Sequence, residues 1–273
     1  MQRPLLRRSL GDVNTEIPLL VFTDLDGTLI SHTGYRWDAA MPALDALRSI
    51  GAGIIMASSK TAPEIIALRQ KLDLEDWPAI VENGAGVLGP RSRTCPPIDD
   101  YVALRSVLDQ IPADLRRQYR GFGDMDVAEI AKTTGLTTQD AALASKRSFS
   151  EPGLWSGTAQ QRDAFLSALA PHGVAAREGG RFLTLSFGKT KADQMEKIIE
   201  TYRPRHTIAL GDAPNDVEMI EAADFGVIIA NPHRSALPEL EGETQGRIVR
   251  TTLAGPEGWN KAVLELIDKL ELK

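Results

Sequence analysis

A chain of 273 residues with a formal charge of -6 is long enough for a sizeable core and more than one compact unit. Its 42% hydrophobic and 25% charged residues are ordinary for a globular protein, and the acidic balance argues against general binding to nucleic acid or an anionic membrane. A single cysteine, Cys95, excludes an intrachain disulfide and fits a reducing cytoplasm, the expected location.

The first stretch, 1–18, carries three arginines, lacks the apolar segment of a secretory signal and reads as a frayed arm. No apolar run reaches the roughly 18 residues of a membrane span. Residues 18–24 have the Leu, Val and Phe of a short buried strand. A helix is predicted over 38–50, stopped by "GAG", and "GIIMASS" gives a second buried strand. "TAPEIIALRQKL" is a helix with Pro63 in its first turn, and "PAIVENGAG" a strand running into a glycine turn. Strands and helices in this alternation imply a parallel sheet, because parallel neighbours need crossover connections.

From about 87 to 186 helices alternate with shorter strand candidates, with Pro/Gly-rich joints near 89–97 and 152–157. The first pattern then resumes, with "KADQMEKIIETY" and "NDVEMIEAA" as helices and "HTIALGD" and "FGVIIAN" as strands. The expected fold class is α/β: a domain of residues 1–86 and 187–273 on a parallel sheet, interrupted by an α+β unit over 87–186.

Chemistry gathers where the strands end. In "LLVFTDLDGTLI", Asp24 and Asp26 are two residues apart and point to the same side, beyond the carboxyl edge where open α/β sheets bind ligands. Such a pair can hold a hard cation, share a proton in acid–base work, or cap a turn. Ser58 ends the second strand and can hold a phosphate oxygen. Asp212 ends "TIALGD", with Asp216 at the start of the next helix. Three converging acids are costly without a cation. "GKTKAD" places Lys189 and Lys191 just ahead of a helix, where an amine can balance them or lie solvated.

"DLDGT", a hydroxyl residue after the second strand, a lysine and "GDAPND", in this order, resemble the four motifs of the haloacid dehalogenase phosphatases. That resemblance covers nearly the whole chain and implies a Rossmann-like core with an inserted Cof-type (class IIB) cap. It also implies Asp24 as nucleophile, Asp26 as general acid/base, Ser58 as phosphoryl ligand and Lys189 as the lysine that steadies both, Lys191 remaining the alternative. Mg²⁺ would be held by Asp24, the Asp26 carbonyl and Asp212, with Asp216 in support. Gly27, Thr28, Ser59 and Lys60 would flank the phosphate, Gly27 by turning the chain so that N–H groups face it.

A narrower resemblance rests on "SSKTAPEI", "VENGAGV", "GFGDMDVAEIAKTTGLTTQDAALASKRSFSEP", "GGRF" and "GPEGW". These are similar to the mannosyl-3-phosphoglycerate phosphatases, which implies a phosphorylated sugar–glycerate substrate and mannosylglycerate as product. In the cap, Arg147 and Arg181 could pair with the glycerate carboxylate or with surface acids. Ser150 and Glu151 could bond sugar hydroxyls or form a turn before Pro152. Asn83 and Gly84 are placed in the pocket floor or in a plain turn. Trp155 and Trp259 are expected to pack, and His32, His172, His206 and His233 receive no catalytic role. The rivals are a phosphatase of glucosyl-3-phosphoglycerate or another sugar phosphate and, in another class, a phospho-accepting signalling or non-catalytic binding domain.

Overall fold

The computed structural model describes residues 16–32, 34–179 and 181–272, so the frayed arm expected over 1–18 lies mostly outside them. The chain runs through β1 (Leu20–Thr23), α1 (Met41–Ser49), β2 (Gly53–Met56), α2 (Ala62–Leu72), β3 (Ala79–Val81) and β4 (Gly86–Leu88). There follow α3 (Asp99–Leu108), α4 (Ala113–Arg116), β5 (Tyr119–Gly121), α5 (Val127–Thr134), α6 (Thr138–Ala144), β6 (Ser150–Trp155), α7 (Ala159–Leu169), β7 (Ala175–Gly179) and β8 (Phe182–Ser186). The last part holds α8 (Lys191–Tyr202), β9 (Thr207–Gly211), α9 (Val217–Ala222), β10 (Phe225–Ala230), α10 (Glu241–Thr244), β11 (Ile248–Ala254) and α11 (Gly255–Lys269).

Strands β1, β2 and β9 are buried at every residue, as uninterrupted apolar runs require of strands covered on both faces. They form a parallel sheet in the order β11-β10-β9-β1-β2, and a single parallel bridge from Ala57 to Ile80 ties β3 beside β2. Alternation sorts the side chains onto two cores. Val21, Ile54, Ile208 and Leu210 pack with Leu44 of α1 and Trp259 and Val263 of α11. Leu20, Phe22, Ile55 and Ala209 face Met195 and Ile198 of α8 and Met219 of α9. Trp259 is fully buried and its indole N–H donates to Thr23 Oγ1 at 3.0 Å, the packing role expected of it.

Strand order reverses between β1 and β9, and the crevice beyond their carboxyl ends is where an open sheet binds ligands. The inserted unit has its own antiparallel sheet, β5-β6-β8-β7, and its own core around Leu104, Tyr119, Phe165 and Leu185. Two local expectations need correction. The joint predicted at 152–157 lies largely inside β6, where Pro152 is tolerated because β5 ends opposite Gly153 and leaves that flank of β6 unpaired. The division drawn between 86 and 87 falls within β4, which pairs with β3. No helix among the described residues is long and apolar enough to cross a membrane.

Candidate active site

The backbone at the end of β1 still belongs to the sheet, because Asp24 N donates to Leu210 O at 2.9 Å. The chain then turns at Gly27, whose φ of 87° suits glycine and whose N–H bonds Ile30 O at 2.7 Å. A side chain here would also strike the His32 ring, 2.2 Å from where a Cβ would sit. The turn leaves Asp24 buried, and β9 delivers Asp212 beside it.

Between these acids stands a lysine, and it is Lys191. Thr190 caps α8, its hydroxyl accepting from Asp193 N at 3.1 Å while Asp193 Oδ2 accepts from Thr190 N at 2.8 Å, so Lys191 is the first helical residue. Its buried Nζ donates to Asp24 Oδ1 at 2.6 Å and Asp216 Oδ1 at 2.7 Å. Lys189, the residue expected there, is exposed on the cavity rim instead. The cap position of Thr190 decides between them, since only the residue after it is carried inward by the helix.

Oxygens of Asp24, Asp212 and Asp216 lie within 4.8 Å of one another. Burial, opposed by Lys191 and reinforced by Asp216 and Asp212, pushes the Asp24 carboxyl well above the usual carboxylate range. Burial and Asp216 also raise Asp212, against hydrogen bonds from Asn231 and Thr28. Burial pulls the Lys191 ammonium down, but Asp216 and Asp24 outweigh it and hold its pKa above the ordinary lysine value. Three buried acids around one ammonium leave surplus negative charge, and the set fits a divalent cation with oxygen ligands. Asp216 has both oxygens occupied, Oδ1 by Lys191 and Oδ2 by the amides of Asp212 and Ala213 at 3.1 and 3.0 Å. Asp212 has one donor on each oxygen, Thr28 on Oδ1 and Asn231 on Oδ2, whereas Asp24 meets Lys191 through Oδ1 alone and is the best placed of the three to turn an oxygen to a cation.

Around this centre the expected residues divide. Asp26 pairs with Lys60 Nζ at 2.9 Å, and Lys60 also reaches the Tyr35 hydroxyl at 3.2 Å. Thr28 turns its hydroxyl to Asp212 Oδ1 at 3.1 Å, supporting an acid of the cluster rather than facing the cavity. Ser58 is buried at the end of β2 and accepts from Lys60 N at 3.3 Å, while Ser59 lines the cavity. Asn83 Oδ1 accepts from Asn215 at 3.0 Å, and Gly84 (φ 95°) packs so closely that a Cβ would lie 2.0 Å from the Thr190 carbonyl carbon.

A cavity of about 840 Å³ spans the acids and the antiparallel cap, with Lys60, Asn83, Arg147, Arg181, Lys189 and Arg234 among its walls. Arg147 is buried and forms an ion pair with Glu82 at 3.2 Å, and Arg181 bonds the Thr133 carbonyl at 2.6 Å. Ser150 and Glu151 do not face this cavity. Ser150 bonds Glu82 and Arg147, both partners that its short side chain meets inside the cap–core contact. Glu151 is fully buried within the cap, accepting from Tyr101 (2.8 Å), Arg105 (2.5 Å) and Gly123 N (2.9 Å).

The same Arg105 joins Asp124, which also meets Arg116. Burial alone would raise Asp124, but bonds from Arg105, Arg116 and Gly121 N–H hold it at about 2, below the usual 3.8. A depressed carboxyl stabilises the fold above its unfolded pKa and loses that contribution as pH falls, here from about pH 4 towards 2. Thermal melts across that range should fall less steeply for Asp124→Asn than for the parent chain.

A family model described as haloacid dehalogenase-like hydrolase matches residues 21–96 and 162–242, more than half of the chain and both acidic strand ends. The chain belongs to the haloacid dehalogenase-like hydrolases. Among solved structures it is similar to the sucrose-phosphatase of Synechocystis sp. PCC6803, solved with sucrose and phosphate, at 18% identity and a TM-score of 0.62, covering 93% of this chain and 98% of that one. BT1666 of Bacteroides thetaiotaomicron, a phosphatase of the superfamily, matches at 17% identity and a TM-score of 0.62 over 97% and 100% of the two chains. The subclass IIB sugar phosphatase BT4131 matches at 17% identity and 0.59 over 93% and 99%. At these identities the likeness establishes the fold: a Rossmann-like core with an inserted antiparallel cap.

In this hydrolase the site also holds residues that sequence reasoning passed over. Asn231, just past β10, donates to Asp212 Oδ2 at 2.5 Å, and the strand-end rule that singled out Asp212 would have found it. His32 and His233 meet edge to face at 5.4 Å on the cavity wall. No local pattern announces them, because 200 residues of chain separate two loops that only the sheet order brings together.

Proposed function

We propose that this hydrolase is a Mg²⁺-dependent phosphatase acting on mannosyl-3-phosphoglycerate, releasing phosphate and mannosylglycerate. The observation that carries the reaction class is the buried Asp24 carboxylate gripped by Lys191 beside Asp212, at the floor of a capped cavity. Asp24 attacks phosphorus as the ester P–O bond breaks, giving an aspartyl-phosphate. Asp26, on the cavity wall two residues on, gives the proton of its acid form to the leaving alkoxide. It is left as the carboxylate that Lys60 pairs with, and then takes a proton back from the water that hydrolyses the acyl phosphate. Lys191 favours the carboxylate form of Asp24 against its burial and neutralises charge on the transferring group. Lys60 orients Asp26 through their ion pair, and Ser58 and the turn at Gly27 bound the phosphate site. Asp24, the Asp26 carbonyl and Asp212 would hold Mg²⁺, with Asp216 fixing Lys191 and the loop amides. The cation supplies electrostatic stabilisation of the phosphoryl oxygens.

The cap, which we place from just beyond β4 to residue 186, selects the leaving group. Support for the substrate comes from the family resemblance of the "GFGDMDVAEIAKTTGLT" stretch and from cations left over in the cavity. Arg147 and Arg177 pair with Glu82 and Glu218, whereas Arg181, Lys189 and Arg234 have no carboxylate within ion-pair distance among the described residues. Such a surplus suits a substrate with a second anionic group beside its phosphate. kcat/KM measured with Mg²⁺ across sugar phosphates, mannosyl- and glucosyl-3-phosphoglycerate should favour the mannosyl compound over simple hexose phosphates by at least about tenfold. Equal values would overturn the substrate while leaving the reaction class standing. A glucosyl preference would reassign the sugar.

A further inference from the structure

Glu82 is a further buried carboxylate at the site, beside Asp24, Asp212 and Asp216, and the mechanism makes no use of it. It is 1% exposed and follows β3 of the core, yet its side-chain partners come from the cap, from the link after α6 and the first residue of β6. Oε1 accepts from Ser148 N at 2.8 Å. Oε2 accepts from Phe149 N at 3.2 Å, Ser150 N at 2.8 Å and Ser150 Oγ at 2.8 Å. Arg147 Nε lies 3.2 Å from Oε2, and Arg147 Nη2 donates to Ser150 Oγ at 2.7 Å. One side chain of the core thus organises four successive residues of the cap, Arg147 to Ser150.

The backbone that carries Glu82 is unusual too. Glu82, Asn83 and Gly84 take φ values of 52°, 59° and 95°, three left-handed residues in succession, two of them with a Cβ. Such a run persists only where its surroundings over-determine it, and each residue has a separate tie. Glu82 holds the cap segment, Asn83 Oδ1 accepts from Asn215 in the loop of Asp212 and Asp216, and Gly84 O accepts from Gln194 Nε2 in the helix of Lys191.

We propose that Glu82 is the positioning residue that registers the cap on the core and sets Arg147 in the cavity wall. Arg147 is consequently not a free cation awaiting a substrate anion. It is part of the clamp, its Nη1 and Nη2 lying 3.4 and 3.5 Å from Ser59 O of the core. The clamp governs how well a large leaving group is held, and has little bearing on chemistry at phosphorus. Its activity readout rests on the phosphatase reading above, and its exchange readout does not.

The test is Glu82→Gln, which keeps the shape but turns donor against donor at one oxygen. Amide hydrogen exchange of 148–150 should rise about tenfold or more, with β1 and β9 amides unchanged. KM for the best sugar phosphate should rise about tenfold, while kcat for p-nitrophenyl phosphate, which barely needs a cap, stays within about threefold. Ser150→Ala, removing one donor, should shift both readouts the same way by a smaller factor, and decides the matter if Glu82→Gln fails to fold. Unchanged exchange at 148–150, or equal losses on both substrates with exchange raised throughout, would overturn the proposal. A parent chain that hydrolyses no ester would defeat the phosphatase reading and leave the exchange result to judge the clamp.

Discussion

Asp24→Asn should lower phosphate release from a generic ester by at least about 10³-fold while the chain stays folded, because it removes the attacking oxygen and nothing that the hydrophobic core needs. The amide is nearly isosteric and can still accept from Lys191, so the parent hydrogen bond of 2.6 Å survives in altered form. Stability should hold or rise. Asp24 in its charged form is held against burial and against Asp216 and Asp212, with only Lys191 in its favour, and the neutral amide relieves that repulsion. Phosphate release and thermal melting on the same preparations check both halves. A signalling or binding role for the aspartate cluster would predict no turnover in the parent chain, so its activity with Mg²⁺ is the reference that the variant needs. Retained turnover in Asp24→Asn would remove Asp24 from the nucleophile's place.

Much of this arrangement is legible in the sequence, for a physical reason. Parallel strands buried on both faces must be apolar throughout, so a carboxylate can stand only where the strand ends, and Asp24 and Asp212 mark those ends directly. The alternation of β1, α1, β2 and α2 follows from the same runs. What fails is what depends on three dimensions at once. "RSFSEP" is a plausible sugar-binding stretch by composition, but Ser150 answers to Glu82 and Glu151 to Arg105 and Tyr101, partners 46 to 68 residues away. Pro152 argues locally for a joint and is overruled because its neighbour strand has already ended. Beyond residue 231 the sequence reading predicts no helix or strand, yet α11 covers one face of the sheet and β11 closes its edge. Their apolar residues are interleaved with charge, and only burial against β10 and α1 separates them.

The lysine is the case where one residue of register decides chemistry, and a matched pair of variants tests it. Lys191→Met should lose about 10²-fold or more in kcat, since the ammonium shared by Asp24 and Asp216 disappears from a site that must gather negative charge. Removing one member of a buried ion pair also leaves charges uncompensated, a change that typically costs about 3–5 kcal/mol. The net loss here should be smaller, because Asp24 can take up a proton, its carboxyl being already raised by burial. Lys189→Met should leave both kcat and melting temperature near the parent values. It removes an exposed rim cation, so any effect belongs in KM, and should be larger for a substrate with a second negative group than for a simple ester. Steady-state kinetics of the two variants on both kinds of substrate separate these outcomes. If Lys189→Met lost kcat and Lys191→Met kept it, the ammonium that serves the reaction would be the one on the rim. The buried lysine would then serve only to let three carboxylates share one pocket.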